Sequence, residues 1–184
     1  MSVQPSFIGG WLQSAKIIPS PNYDERPIGG DVSLIVIHAI SLPPGQFDGP
    51  GIIELFSNHL NPEEHPYYQE IAHLRVSAHF LIRRQGELIQ FVSTFCRAWH
   101  AGISSWQGRE RCNDFSIGIE LEGCDELPFE VAQYETLNLL LRDLVESHKI
   151  SAVVGHSEIS PGRKTDPGPL FEWSLVSLPA VIRR

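Results

Sequence analysis

Two periods of apolar spacing organise this chain. Residues 33–38 form a short β-branched apolar run, the pattern of a buried strand. Residues 41–51 contain Pro43-Pro44-Gly45 and Asp48-Gly49-Pro50 and read as a loop. Ile52, Ile53, Leu55, Phe56 and Leu60 have helical spacing, so a short helix follows, and the polar stretch 61–70, with Pro62 and Pro66, reads as a second loop. Residues 78–83 and 87–92 are strand-like around Gln85-Gly86, which predicts a hairpin. Over 114–122 the chain alternates, with Phe115, Ile117, Ile119 and Leu121 on one face and Ser116, Gly118, Glu120 and Glu122 on the other. Pro128 opens a helix whose apolar stripe is Tyr134, Leu137, Leu141, Leu144, Val145 and His148. A strand over 151–154 ends at Gly155-His156, and a Pro- and Gly-rich loop covers 157–169. Trp173, Leu175 and Val176 belong to a last helix that stops near Pro179. Residues 1–32 read as an extended lead-in, with Trp11, Leu12, Ile17 and Ile18 packing onto the body.

This order of strand, helix, hairpin, strand, helix, strand, helix predicts a mixed α/β (α+β) fold. It has a central mixed sheet flanked by helices, with strands 33–38, 115–122 and 151–154 near the middle. At 184 residues, 42% hydrophobic and 20% charged, one domain over 1–184 is expected. Lys+Arg of 14 against Asp+Glu of 22 gives a net charge of −8. That argues against nucleic acid as a general partner, because binding it depends on neutralising phosphates. It also argues against a polybasic membrane anchor. The three cysteines, Cys96, Cys112 and Cys124, show no C-x-x-C spacing, so a reducing compartment is expected rather than a disulfide framework. Residues 1–16 lack the charge and apolar order of a secretory signal, and no apolar run approaches the roughly 20 residues of a membrane span. Together these predict a cytoplasmic location.

Candidate chemistry gathers where apolar strands end. Of eight histidines, His59, His65, His73, His79 and His148 read as surface or structural residues, and His100, within Trp99-His100-Ala101-Gly102, is intermediate. His38 and His156 each close a short apolar strand, where open sheets present ligand-binding and catalytic groups. Asp166 follows His156 by ten residues, inside Lys164-Thr165-Asp166-Pro167, where the proline favours an extended conformation. Two imidazoles and a carboxylate make a donor set suited to catalytic zinc. The alternative for Asp166 is a helix cap. Glu120 shares its face with small residues, Ser116 and Gly118, which leave room for a ligand, and is a candidate general base; the alternative is a solvent-facing charge on a one-sided sheet. Lys164 lies two residues from Asp166, on the same side of an extended segment, and could stabilise an oxyanion. Arg75, Arg97, Arg109 and Arg111 supply local positive charge suited to carboxylates. Trp99 and Trp106 could stack on a sugar or fill core gaps.

Several segments together resemble one family. They are Val36-Ile37-His38 with Ser41-Leu42-Pro43-Pro44-Gly45, Ala72-His73-Leu74-Arg75-Val76-Ser77-Ala78-His79, Arg97-Ala98-Trp99-His100-Ala101-Gly102, Gly108-Arg109-Glu110-Arg111-Cys112-Asn113-Asp114, Ser116-Ile117-Gly118-Ile119-Glu120-Leu121-Glu122-Gly123 and Arg163-Lys164-Thr165-Asp166-Pro167-Gly168-Pro169. The chain resembles the 1,6-anhydro-N-acetylmuramyl-L-alanine amidases of bacterial cell-wall recycling. These belong to a wider zinc amidase family that includes phage amidase lysozymes and peptidoglycan recognition proteins. The resemblance runs from about Trp11 to Trp173. It implies Zn2+ held by His38, His156 and Asp166, catalysis by Glu120 and Lys164, and a substrate groove lined by Arg75, Trp99 and Arg111. It further implies a small-molecule muropeptide substrate, no obligate protein partner, and an indirect effect on β-lactamase induction. Ala39 departs from the asparagine that often follows the first ligand histidine. The competing reading is a peptidoglycan-fragment-binding module without catalysis.

Overall fold

A computed structural model describes residues 6–178. A six-stranded sheet runs in the order Ala152–Gly155, Leu34–Ile40, Ser116–Glu122, Phe80–Ile82, Leu88–Gln90, Lys16–Ile17. The first four strands pair in parallel, Phe80–Ile82 and Leu88–Gln90 form the expected antiparallel hairpin, and Lys16–Ile17 adds in parallel at the far edge. The sheet is therefore mixed, with helices on both faces.

Alternation along the strands divides the core into layers. Ile35, Ile37, Ile117, Ile119, Leu121 and Val153 face the long helix Val131–Ser147, whose Leu137, Leu140, Leu141 and Leu144 complete that layer. Burying each such side chain stabilises the fold by about 1.5–3 kcal/mol. On the opposite face two separate apolar clusters form. One holds Leu42, Ile52, Leu55, Phe56, Tyr68 and Leu81, and the other Leu34, Val36, Ala101, Phe115, Val154 and Ile159. Polar side chains, among them His38 and Glu120, fill the interval between them.

Several expectations are corrected. The 151–154 prediction matches the Ala152–Gly155 strand, but that strand is at the sheet edge; only Leu34–Ile40 and Ser116–Glu122 are central among the three. Ser116–Glu122 is buried along its whole length, so its polar face is not a solvent face. The polar 61–70 stretch enters a helix, Pro66–Ile71, because Pro66 fits a first helical turn and His65 Nδ1 accepts the Tyr67 N–H at 3.1 Å. The 157–169 loop opens with a single helical turn, His156–Ile159. The last predicted helix is only a 3-10 turn, Trp173–Leu175, and its expected stop at Pro179 lies outside the described residues. The lead-in contributes strands as well. Phe7–Ile8 pairs with Trp11–Leu12, and Tyr23–Glu25 pairs with Cys96–Ala98. Leu12 is buried as expected, whereas Ile17, on the edge strand, stays exposed. Among the described residues no helix is long and apolar enough to cross a membrane.

Candidate active site

Sheet register brings the central groups together. Glu120 and His38 are partners on neighbouring parallel strands, so their side chains leave the same face. His156 follows directly after Ala152–Gly155, the strand on the other side of Leu34–Ile40. Asp166 is returned to this corner by its loop, where the Ser157 N–H donates to the Asp166 carbonyl at 2.9 Å. Gly155 permits that return, because a Cβ there would stand 2.8 Å from Pro167 Cδ.

His38 Nδ1, His156 Nδ1 and Asp166 Oδ2 form a triangle with sides of 3.0, 3.0 and 3.1 Å. On the outer side, His156 Nε2 lies 3.1 Å from the Ala101 carbonyl. A carbonyl only accepts, so Nε2–H donates to it, and Nδ1 is the ring nitrogen that faces the triangle. His38 Nε2 lies 2.9 Å from His100 Nδ1, and His100 Nε2 lies 3.2 Å from Ser116 Oγ. Burial lowers the proton affinity of His38, and more strongly that of His100, which favours neutral rings at both positions. Burial alone would raise Asp166, but its contacts with His156 and His38 hold it well below the usual carboxylate range. Two imidazoles and an ionised carboxylate thus converge on one point, an arrangement that a cation relieves. These two nitrogens and one oxygen, all lining one cavity, form a group that could hold a metal ion.

Glu120 is 8% exposed, and its Oε2 has no hydrogen-bond partner among the described residues. Burial, reinforced by Asp166, pushes its carboxyl well above the ordinary range, with Lys164 acting in the opposite sense. His38, Glu120, His156, Lys164 and Asp166 all line one cavity of about 590 Å³. Leu42, Leu55, Phe56, Ile71 and Leu74 give that cavity an apolar wall. Lys164 is exposed at its rim, and its ammonium makes no hydrogen bond or ion pair with a described residue.

The other candidates divide. Trp99 lines the main cavity and also an adjoining one of about 270 Å³ that Arg75 reaches. Trp99 Nε1 donates to Asp24 Oδ1 at 3.2 Å, and Arg75 Nη1 donates to the carbonyls of residues 72–74. Arg111 is not beside the triangle. It lines a separate cavity of about 500 Å³ with Ile103, Glu110 and Arg163, and pairs with Asp114 at 3.3 Å. Arg97 is engaged by Asp24 and Asp114, and Arg109 stacks on Phe115. Trp106 packs against the core. Ala39 lines the main cavity beside His38. Among the histidines read as structural, His79 is fully buried, and its Nδ1 accepts the Gly118 N–H at 3.0 Å.

His100 is the residue whose importance sequence reasoning did not resolve. The small residues beside Glu120 were expected to leave room for a ligand. At Gly118 the space is filled by the His100 ring, which a Cβ would overlap. The Gly118 position was a signal that something packs there, but only the fold identifies the occupant.

A profile of the N-acetylmuramoyl-L-alanine amidase family matches residues 28–169. The 1,6-anhydro-N-acetylmuramyl-L-alanine amidase AmpD of Escherichia coli (strain K12) is 56% identical over 167 residues, covering 90% of this chain and 91% of the relative. The crystal structure of a Se-Met AmpD derivative matches with a TM-score of 0.90 and 54% identity, covering 93% of this chain and 99% of that one. The E. coli amidase AmiD, solved in complex with anhydro-N-acetylmuramic acid-L-Ala-D-gamma-Glu-L-Lys, matches with a TM-score of 0.58 and 29% identity over 89% of this chain and 58% of that one. The fold, the extent of the family match and the identity along most of the chain agree: this chain belongs to the N-acetylmuramoyl-L-alanine amidase family and groups within it with the AmpD amidases.

Proposed function

We propose that this chain, as one amidase domain, is a zinc-dependent hydrolase of the amide joining anhydro-N-acetylmuramic acid to L-alanine in muropeptides. The observation that carries this reading is the convergence of three acceptor atoms, His38 Nδ1, His156 Nδ1 and Asp166 Oδ2, in the same cavity as Glu120, whose buried Oε2 has no hydrogen-bond partner among the described residues. The AmiD complex with an anhydro-muropeptide supports the choice of substrate class.

His38, His156 and Asp166 would hold the zinc. When bound, zinc supplies Lewis acidity, making water a nucleophile near neutral pH and polarising the amide carbonyl. Glu120 takes the proton from the attacking water as its oxygen bonds to the carbonyl carbon. The raised proton affinity of Glu120 suits that task, and suits returning the proton to the amine nitrogen as the carbon–nitrogen bond breaks. Lys164, at the rim of the same cavity, faces the developing oxyanion with its ammonium. Trp99 stacks on the sugar, while Arg75 and Arg111 take carboxylates of the stem peptide. The products are the anhydro-sugar and a peptide beginning with L-alanine. The setting is cytoplasmic cell-wall recycling, in which removal of inducing muropeptides limits β-lactamase induction.

The test is mass-spectrometric detection of peptide release from a purified anhydro-muropeptide, with and without a chelator. Release that stops with the chelator and returns with zinc supports the reading. Binding of the muropeptide without release favours a non-catalytic module, and release indifferent to the chelator removes the metal.

A further inference from the structure

The two imidazoles of the triangle are oriented from outside by neighbouring residues of one segment. Ala101 offers its carbonyl to His156 Nε2, and His100 offers its ring to His38 Nε2. We propose that His100 is a positioning residue for the metal centre, accepting the His38 Nε2–H at Nδ1, so that the 100–101 dipeptide aims both ligand nitrogens inward. This rests on the zinc reading above.

The dipeptide is itself held from several sides. Asn113, which is buried, accepts the backbone N–H groups of both His100 and Ala101 on one oxygen, at 3.2 and 2.8 Å. Arg163 Nη2 adds a second donor to the Ala101 carbonyl at 3.1 Å. The His100 ring is seated over Gly118, where no Cβ intrudes, and its Nε2 reaches Ser116 Oγ. His38 and His100 meet edge to face, with centroids 5.0 Å apart and an interplanar angle of 84°. A ligand nitrogen at Nδ1 leaves the proton on His38 Nε2, so the partner at 2.9 Å must accept. His100 Nδ1 therefore carries the lone pair, and His100 Nε2–H donates to Ser116. The direction of the whole chain follows from metal ligation at His38. Without that acceptor, His38 is free to turn about its Cβ–Cγ bond and withdraw Nδ1 from the triangle.

The experiment is zinc titration of the full chain against a competing chelator, comparing wild type, His100→Leu and His100→Asn. Leucine fills the space without an acceptor, whereas the asparagine side-chain oxygen can stand near the lost Nδ1. His100→Leu is expected to weaken zinc binding about 10–100-fold, and His100→Asn to recover most of that loss. Imidazole 15N spectra of the zinc-loaded wild type provide a readout that needs no variant: His100 is expected as the Nε2–H tautomer. An Nδ1–H tautomer at His100 overturns the proposal, even if His100→Leu does not fold. Equal zinc affinity in wild type and folded His100→Leu also overturns it while leaving the zinc reading intact. A wild type that binds no zinc overturns the zinc reading itself, and this proposal with it.

Discussion

Glu120→Gln is expected to trade activity for stability. The wild-type carboxyl is buried, its Oε2 has no partner among the described residues, and the Asp166 carboxylate shares its cavity. A buried polar group left unsatisfied costs about 1–3 kcal/mol, and more when charged. Glutamine keeps the shape and a polar end but removes the charge, so the metal-free variant regains only the extra cost of burying that charge, on the order of 1–3 kcal/mol at pH 8. For a chain of this length that corresponds to a rise in Tm of roughly 2–12 °C. The pH dependence has a definite sign. Because the folded-state pKa of Glu120 is raised, the folded protein binds more protons than the unfolded one across the interval between the two values. Wild-type stability from this group is therefore full below the unfolded carboxylate range, near pH 4, and is lost as pH rises through the folded value. The advantage of the glutamine variant should be large at pH 8 and shrink towards pH 4. Activity should move the opposite way, with kcat falling about 10²–10⁴-fold as the proton acceptor is lost, which is roughly 2.7–5.4 kcal/mol of barrier. Thermal melts of chelator-treated protein across pH, together with peptide-release kinetics of the zinc-loaded enzyme, measure both. A variant that melts below wild type at pH 8, or whose advantage does not change with pH, would refute the burial argument. Unaltered kcat would refute the role of Glu120 as base.

Other perturbations separate the remaining roles. His156→Ala should purify with little zinc by elemental analysis and show no peptide release; full metal content would remove it from the ligand set. Lys164→Ala should lower kcat about 10²–10³-fold with a small change in KM, and a defect confined to KM would contradict oxyanion stabilisation. Gly118→Ala adds a methyl where the His100 ring sits, so it should cost about 1–3 kcal/mol in denaturant unfolding and weaken zinc binding as well. Zinc affinity equal to wild type would show that the ring's seat is irrelevant to the metal. Arg111 lines a cavity separate from the triangle, so Arg111→Ala should raise KM and leave kcat unchanged; a fall in kcat would place it nearer the chemistry than the geometry does.

Local patterns were legible where burial has a short period. The runs around Ile35 and Ile117 and the stripe through Leu137 and Leu144 describe which side of an element meets the core, and each is settled within a few residues. The placement of His156 directly after its strand, with Asp166 ten residues beyond, was visible as well, but the strand carrying His38 runs on to Ile40, so that histidine lies within the strand rather than at its end. The helix at Pro66–Ile71 was hidden because its polar surface carries no strong apolar stripe; the signal present was His65 followed by Pro66, a cap and a first-turn proline. The position of the Ala152–Gly155 strand at the edge was hidden too, since its four residues are buried just as a central strand's would be.

By itself, then, the order of residues determined the alternating sheet and helix pattern, the family and the donor types available for chemistry, since these follow from side-chain character at neighbouring positions. Tertiary structure alone decided that Glu120 pairs with His38, that His100 rather than a ligand occupies the space over Gly118, and that Arg111 opens onto a different cavity. Those outcomes depend on strand register and loop closure between segments far apart in the chain, as between His38 and His156, where many weak contacts act together and no local pattern records the result.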